Sequence, residues 1–199
     1  MSFIIEDGGG SGTKAKVGDG GRLKTRAITE PEEAHANEEG NAYNINTKNI
    51  TLTNDTDTPI LYIKNNEETN LVIAALAFGV KSSTGGSSTD LPEVTIIRNP
   101  TAGTIIDNAT NADINSNRNY GDTGTLADSL VYKGATGNTM TDGADHLFIY
   151  LNQLGRSFIT INEVLPKGTS LGVKVKCQAS NTSQTLYCAA ICYLHTEDF

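Results

Sequence analysis

The sequence predicts an all-β protein, a β-sandwich of jelly-roll type with an extended N-terminal arm. Composition is the first reason: 25 Thr, 19 Asn and 20 Gly stand among 199 residues, with no Trp. Thr favours the pleated backbone, and Asn and Gly supply turns that need positive φ. The second reason is periodicity. About eight to ten short segments alternate apolar and polar residues or run wholly apolar, bounded by Asn, Asp, Gly or Pro. The third is that no long stretch repeats apolar residues at helical spacing. Together with long polar loops, this pattern points to a jelly roll.

Residues 1–41 read as the arm and residues 42–199 as the sandwich. Gly8-Gly9-Gly10-Ser11-Gly12 and Gly18-Asp19-Gly20-Gly21 offer no side chains to pack, so a flexible leader is expected. Lys14, Lys16, Arg22, Lys24 and Arg26 make it basic, and Glu30, Glu32, Glu33, Glu38 and Glu39 follow as an acidic cluster. Arg22 to Ile28 alternates, as an extended segment laid on a neighbour would. Thr29 to Ala36 has a capping residue, an early Pro and early acids, and predicts a short helix.

The body opens with three strands between Ala42 and Lys81, separated by turns at 54–59 and 65–70. Within Leu71 to Lys81, strict alternation places Val72, Ala74, Leu76, Phe78 and Val80 on one face. Leu71, Ile73, Ala75, Ala77 and Gly79 then share the other. The small residues Ala75, Ala77 and Gly79 suit a close approach, either of the second sheet or of an identical subunit. Residues 81–91 read as a loop. Glu93 to Arg98 reads as a strand paired in a hairpin with Thr101 to Ile106, and residues 107–124 as a long surface loop. A strand or a short helix is expected in Leu126 to Lys133, then a loop at 134–145, then strands at His146 to Leu151 and Arg156 to Leu165. The last two strands alternate most clearly, with Leu171, Val173, Val175 and Cys177 on one and Leu186, Cys188, Ala190, Cys192 and Leu194 on the other. A hairpin that sets Leu171 opposite Leu194 and Cys177 opposite Cys188 would match apolar with apolar throughout.

Several function classes are disfavoured. The net charge of −8 and the pI near 4.8 oppose direct nucleic-acid binding, which needs Lys and Arg against phosphates. The longest apolar run, Leu71 to Val80, is too short to cross a membrane as a helix, and the start MSFIIEDGGG is not a secretory leader. A cytosolic product is expected. Cys177, Cys188 and Cys192 are an odd set without zinc spacing, and buried free thiols are expected. His35, His146 and His195 lie far apart and no nucleophile sits in a known catalytic signature, so no catalytic residue is named. Asp113-x-Asn115-x-Asn117 opens like a calcium loop, but Arg118 and Gly124 occupy the positions that need Gly and an acid; a polar turn is expected and no metal. The triplets at Asn49, Asn54, Asn108 and Asn181 are expected from composition, and Gly8 to Lys14 lacks phosphate-loop spacing.

A resemblance adds to this. The succession Thr13-Lys14-Ala15-Lys16-Val17, Gly21-Arg22-Leu23-Lys24-Thr25, Ala42-Tyr43-Asn44-Ile45-Asn46-Thr47 and Ile60-Leu61-Tyr62-Ile63-Lys64-Asn65-Asn66 resembles bacteriophage virion structural proteins. It is similar in particular to capsid decoration (cement) proteins of tailed phages, cyanophages among them. The resemblance covers roughly residues 13–81, and the segment from Leu165-Pro166-Lys167-Gly168 to Tyr193 agrees in style. It implies a sandwich on the outer capsid surface of the virion, made in the host cytoplasm and assembled as a homotrimer. The partner it implies is the major capsid protein, with no cofactor and no active-site residues. Lys14, Lys16, Arg22, Leu23, Lys24 and Arg26 are then the expected capsid-docking residues, and Ala75, Ala77 and Gly79 the expected subunit interface. The alternative is a receptor- or carbohydrate-binding head- or tail-fibre protein working through the loops at 82–91, 107–124 and 134–145. No Trp and only 7 Tyr make that chain poor in sugar-stacking rings.

Overall fold

The computed structural model describes residues 31–85, 91–152, 155–177 and 181–195. A short helix, α1 (Glu32–Glu38), precedes four strands: β1 (Ala42–Asn46), β2 (Ile50–Thr53), β3 (Asp57–Lys64) and β4 (Leu71–Gly85). Then come β5 (Glu93–Arg98), a helical turn α2 (Thr104–Asp107), β6 (Thr110–Asn111), β7 (Ile114–Asn117) and β8 (Leu130–Lys133). The chain continues through β9 (Ala144–Tyr150), β10 (Gly155–Leu165), β11 (Ser170–Lys176) and β12 (Asn181–Leu194). One six-stranded sheet has the order β10-β4-β12-β1-β7, with β2 also paired to β12; the other has the order β6-β8-β3-β11-β5-β9.

The pairings nest. β2 joins β12, β3 joins β11, β4 joins β10 and β5 joins β9, all antiparallel, and successive pairs alternate between the two sheets. A long antiparallel ribbon rolled over itself gives this pattern, and it is a jelly roll. The fold class predicted from the sequence is therefore observed. β1 and β7 widen one sheet, while β6 and β8 widen the other.

Rolling the ribbon also corrects the predicted hairpins. β11 lies between β3 and β5, with Leu171 opposite Ile63 and Arg98 and Val173 opposite Leu61 and Ile96. β12 lies in the other sheet, with Cys188 opposite Phe78 and Cys192 opposite Ile73 and Tyr43. Cys177 and Cys188 are therefore not cross-strand partners, and all three cysteines are buried and outside any disulfide. The predicted faces hold, since Leu171, Val173, Val175, Cys177, Leu186, Cys188, Ala190 and Cys192 are all buried. Alternation sets which side of a strand is buried and leaves its neighbour open. Thr101 to Ile106 is likewise no strand: both edges of β5 are taken by β11 and β9, and Ile105 on α2 packs with Tyr62, Ile97 and Met140 outside the sheet. β4 extends through residues expected to be loop as far as Gly85. The loop expected at 107–124 contains β6 and β7, and that at 134–145 ends in β9.

Within β4 the strict alternation breaks at Ala74. Ala75 pairs with Ile191 and Ile73 with Cys192, so Ala74 is an extra residue relative to β12. On the other side Ala75 pairs with Thr160 and Ile73 with Glu163, and Asn162 of that bulge has φ 49. The bulge moves the core-facing row from Leu71 and Ile73 to Leu76, Phe78 and Val80. Ala75 is buried and Ala77 half-buried. The space over Gly79 is taken by Tyr187 of the same chain, whose ring lies 2.1 Å from where a Cβ would stand. A cross-strand ring covering a strand glycine is a known means of filling that gap.

Replacing Gly79 by Ala is expected to lower stability by about 1–2 kcal/mol, because the Tyr187 ring must leave its place. In a Tyr187→Ala background the same change should be neutral or stabilising, since Ala suits a strand better than Gly. Thermal denaturation of the four chains of this double-mutant cycle checks the reversal of sign.

Candidate functional site

The side chains with chemical potential are mostly spent on structure. His146 of β9 meets Glu163 of β10 at 2.7 Å and ties the two sheets together at one side. His195, just past β12, pairs with Glu32, which also accepts from the Tyr193 hydroxyl at 3.5 Å. Arg118 pairs with Glu33, and the Asn119 amide donates to the Glu38 carbonyl at 3.1 Å. With Ala36 wholly buried, these contacts staple α1 to the sandwich. The predicted short helix is present, but it belongs to the folded body, which therefore includes Glu32 onward and not only residues from 42.

Burial pushes the Cys192 thiol up to about 12 and the Cys188 thiol further in the same direction, and it raises Cys177 as well. The thiolate is the reactive species, so these sulfurs are inert at neutral pH. Among the described residues no group of three or more His, Cys, Asp and Glu is arranged to hold a metal. The Asp113, Asn115 and Asn117 series has other work. Asp113 pairs with Lys133 at 2.8 Å. Asn115 both donates to and accepts from the Leu126 backbone at 3.1 Å. Asn117 accepts from the Asn119 amide at 2.8 Å and bonds to the Gly40 carbonyl.

Among the described residues, recesses open to the solvent. A cleft of about 130 Å³ lies beside the His146–Glu163 pair, floored by Ile96, Leu165 and Leu171. A wider one, about 500 Å³, is bordered by Asn111, Asp113, Asn115 and Thr125 in the region expected to form loops. Tyr120 stands fully exposed, on a turn locked by bonds from the Gly121 amide to the Asn119 side chain and from the Gly124 amide to the Asp122 side chain.

The strongest surface feature is elsewhere. Leu147, Phe148 and Tyr150 on β9, and Phe158 and Val164 on β10, are exposed large apolar side chains on the outer strands of the two sheets. His146–Glu163 shows that these edges share one side of the sandwich. Phe148 and Tyr150 form an edge-to-face pair with centroids 5.0 Å apart. The sequence hid this surface: His146 to Leu151 reads as a strand apolar on both faces, and nothing within it reveals that it lies at a sheet edge among the described residues. The predicted docking residues Lys14, Lys16, Arg22, Leu23, Lys24 and Arg26 lie outside the described residues. No helix among the described residues is long and apolar enough to cross a membrane.

No family model and no curated protein sequence matches the chain. Among solved structures it is similar to a chain of the infectious bursal disease virus Gx strain, at 10% identity and a TM-score of 0.35, covering 79% of this chain and 34% of that one. It is also similar to a chain of T=1 particles derived from infectious bursal virus, at 13% identity and a TM-score of 0.17, covering 77% and 39%. The chain thus spans between a third and two fifths of the viral chains it matches. At these scores the likeness adds nothing to the strand pairing on which the fold rests.

The buried thiols give a pH dependence of fixed sign. Their folded-state pKa values lie above the ordinary 9.0, so their contribution is complete below about pH 9 and is lost as pH rises beyond it. The expected slope is about 1.4 kcal/mol per pH unit for each thiol. Tyr43 and Tyr62, raised mainly by burial, shift the same way. Melting temperature followed from neutral to alkaline pH should therefore fall less steeply in a Cys188→Ala/Cys192→Ala chain than in the wild type.

Proposed function

We propose that this chain is a structural virion protein that decorates a phage capsid, docking on the outer surface of the major capsid protein through its basic N-terminal leader. The observation that carries the proposal is the anchorage of α1. Glu32 and Glu33 are held by His195, Tyr193 and Arg118, so the element that follows the leader in the sequence is fixed to the sandwich. Many copies on one shell multiply a modest interface. The resemblance of residues 13–81 to capsid decoration proteins supports the same role, as does a jelly-roll interior filled by apolar side chains. No catalytic step and no cofactor belong to this role.

The test is cosedimentation with capsid shells of the same virus. A chain of residues 32–199 should keep the melting behaviour of the intact protein and lose at least about tenfold in shell affinity. A full-length chain with Lys14, Lys16, Arg22, Lys24 and Arg26 changed to Glu should lose as much. Undiminished binding by both would overturn the proposal.

A further inference from the structure

An open sandwich leaves sheet edges exposed, and this one treats them unequally. β6 is an edge of two residues. β7 is four residues long and, after Ile114, wholly polar. β10 is broken by a bulge between Thr160 and Glu163 and begins with Arg156 beside Gly155. Shortness, polarity, bulges and charge are the devices that keep sheets from pairing edge to edge. β9 uses none of them from Leu147 to Tyr150. It has seven residues without Lys or Pro, and β5 is its single partner strand among the described residues. Its side chains are also open, with Leu147 38%, Phe148 52% and Tyr150 57% exposed.

We infer that β9 is the site of self-association: it pairs antiparallel with β9 of a second copy about a two-fold axis at Phe148, joining the two β9-containing sheets into one. The order of residues is self-complementary about that point. Phe148 meets the partner's Phe148, and Leu147 meets the partner's Ile149, so that apolar residues oppose apolar ones on both faces. The regular pairing spans Leu147 to Ile149 and ends at His146, an extra residue relative to β5, and within it no charges are opposed. An identical strand supplies this reversed apolar order by symmetry alone.

The area agrees with an identical partner. Phe148 and Tyr150 together present roughly 200 Å² of open ring surface, which is a minor part of the roughly 800 Å² per partner in a stable interface. Further apolar surface lies alongside, where the neighbouring edge β10 exposes Phe158 and Val164 and is tied to β9 through His146 and Glu163. A two-fold axis presents every such feature twice.

Sedimentation equilibrium of the full chain across the micromolar range tests the proposal. The expected mass is about twice 21.1 kDa at the upper concentrations. Phe148→Lys, at an exposed position, should weaken the dimer by about 100-fold or more. Ile114→Lys, on the opposite edge strand β7, should leave it unchanged, and both variants should retain the wild-type circular dichroism spectrum. If Phe148→Lys fails to fold, amide exchange in the wild type decides: exchange at Leu147 to Tyr150 should slow as concentration rises. A monomer at every concentration, a trimer, a dimer indifferent to Phe148→Lys, or β9 exchange independent of concentration would overturn the inference.

Discussion

The ladder between β4 and β12 runs from Leu71 opposite Leu194 to Gly85 opposite Asn181, and the body leans on it from both sides. β12 carries β1 and β2 along its other edge, and β4 carries β10. The two strands turn Leu76, Phe78, Val80, Leu186, Cys188, Ala190 and Cys192 to one face. Leu61, Ile63, Val94, Ile96, Leu171, Val173 and Val175 meet them from the second sheet. Fully burying each large aliphatic or aromatic side chain contributes about 1.5–3 kcal/mol. That face stays filled by large side chains because the extra residue at Ala74 resets the alternation, which would otherwise turn Ala75, Ala77 and Gly79 inward.

The sequence was most informative about burial and least about adjacency. Period-two alternation in Leu171 to Cys177 and Leu186 to Leu194 identified the buried faces, because burial is a property of each residue's own side. It misjudged the partners, because a rolled ribbon sends consecutive strands to opposite sheets and no local pattern records that. The staple on α1 was invisible for a related reason: Arg118 lies 85 positions from Glu33, and His195 lies 163 from Glu32. The candidate surface on β9 was hardest to see. Leu147 to Tyr150 has the composition of a core strand, and its exposure follows from its place at a sheet edge among the described residues.

The abundance of Asn, first a sign of turns, proves to have a second use. Asn65 is fully buried and donates to the Leu165 carbonyl at 2.7 Å and the Thr69 carbonyl at 2.9 Å, while its oxygen receives the Glu67 amide at 2.9 Å. Asn99 receives the Ser170 amide at 3.0 Å, joining the end of β5 to the start of β11. Such side chains replace backbone partners where strands end, which keeps turns compact without apolar packing. Gln184 is the contrast: wholly buried on β12, its amide oxygen and nitrogen have no partner among the described residues. An unmet amide of this kind costs about 1–3 kcal/mol, and the buried Asn37 side-chain oxygen is another unpartnered atom among the described residues.

The position of β12 in the chain has a consequence for how the protein comes into being. Its sheet is centred on residues 181–194, so β4, β1 and β2 have no common neighbour until those residues leave the ribosome. The other sheet needs only residues up to Lys176. During synthesis the chain can therefore assemble one layer of the sandwich while the strands of the other wait with their apolar faces uncovered. Long-range pairing of this kind is slow to form. The interval between the emergence of β11 and that of β12 is when the nascent chain is most open to misassembly.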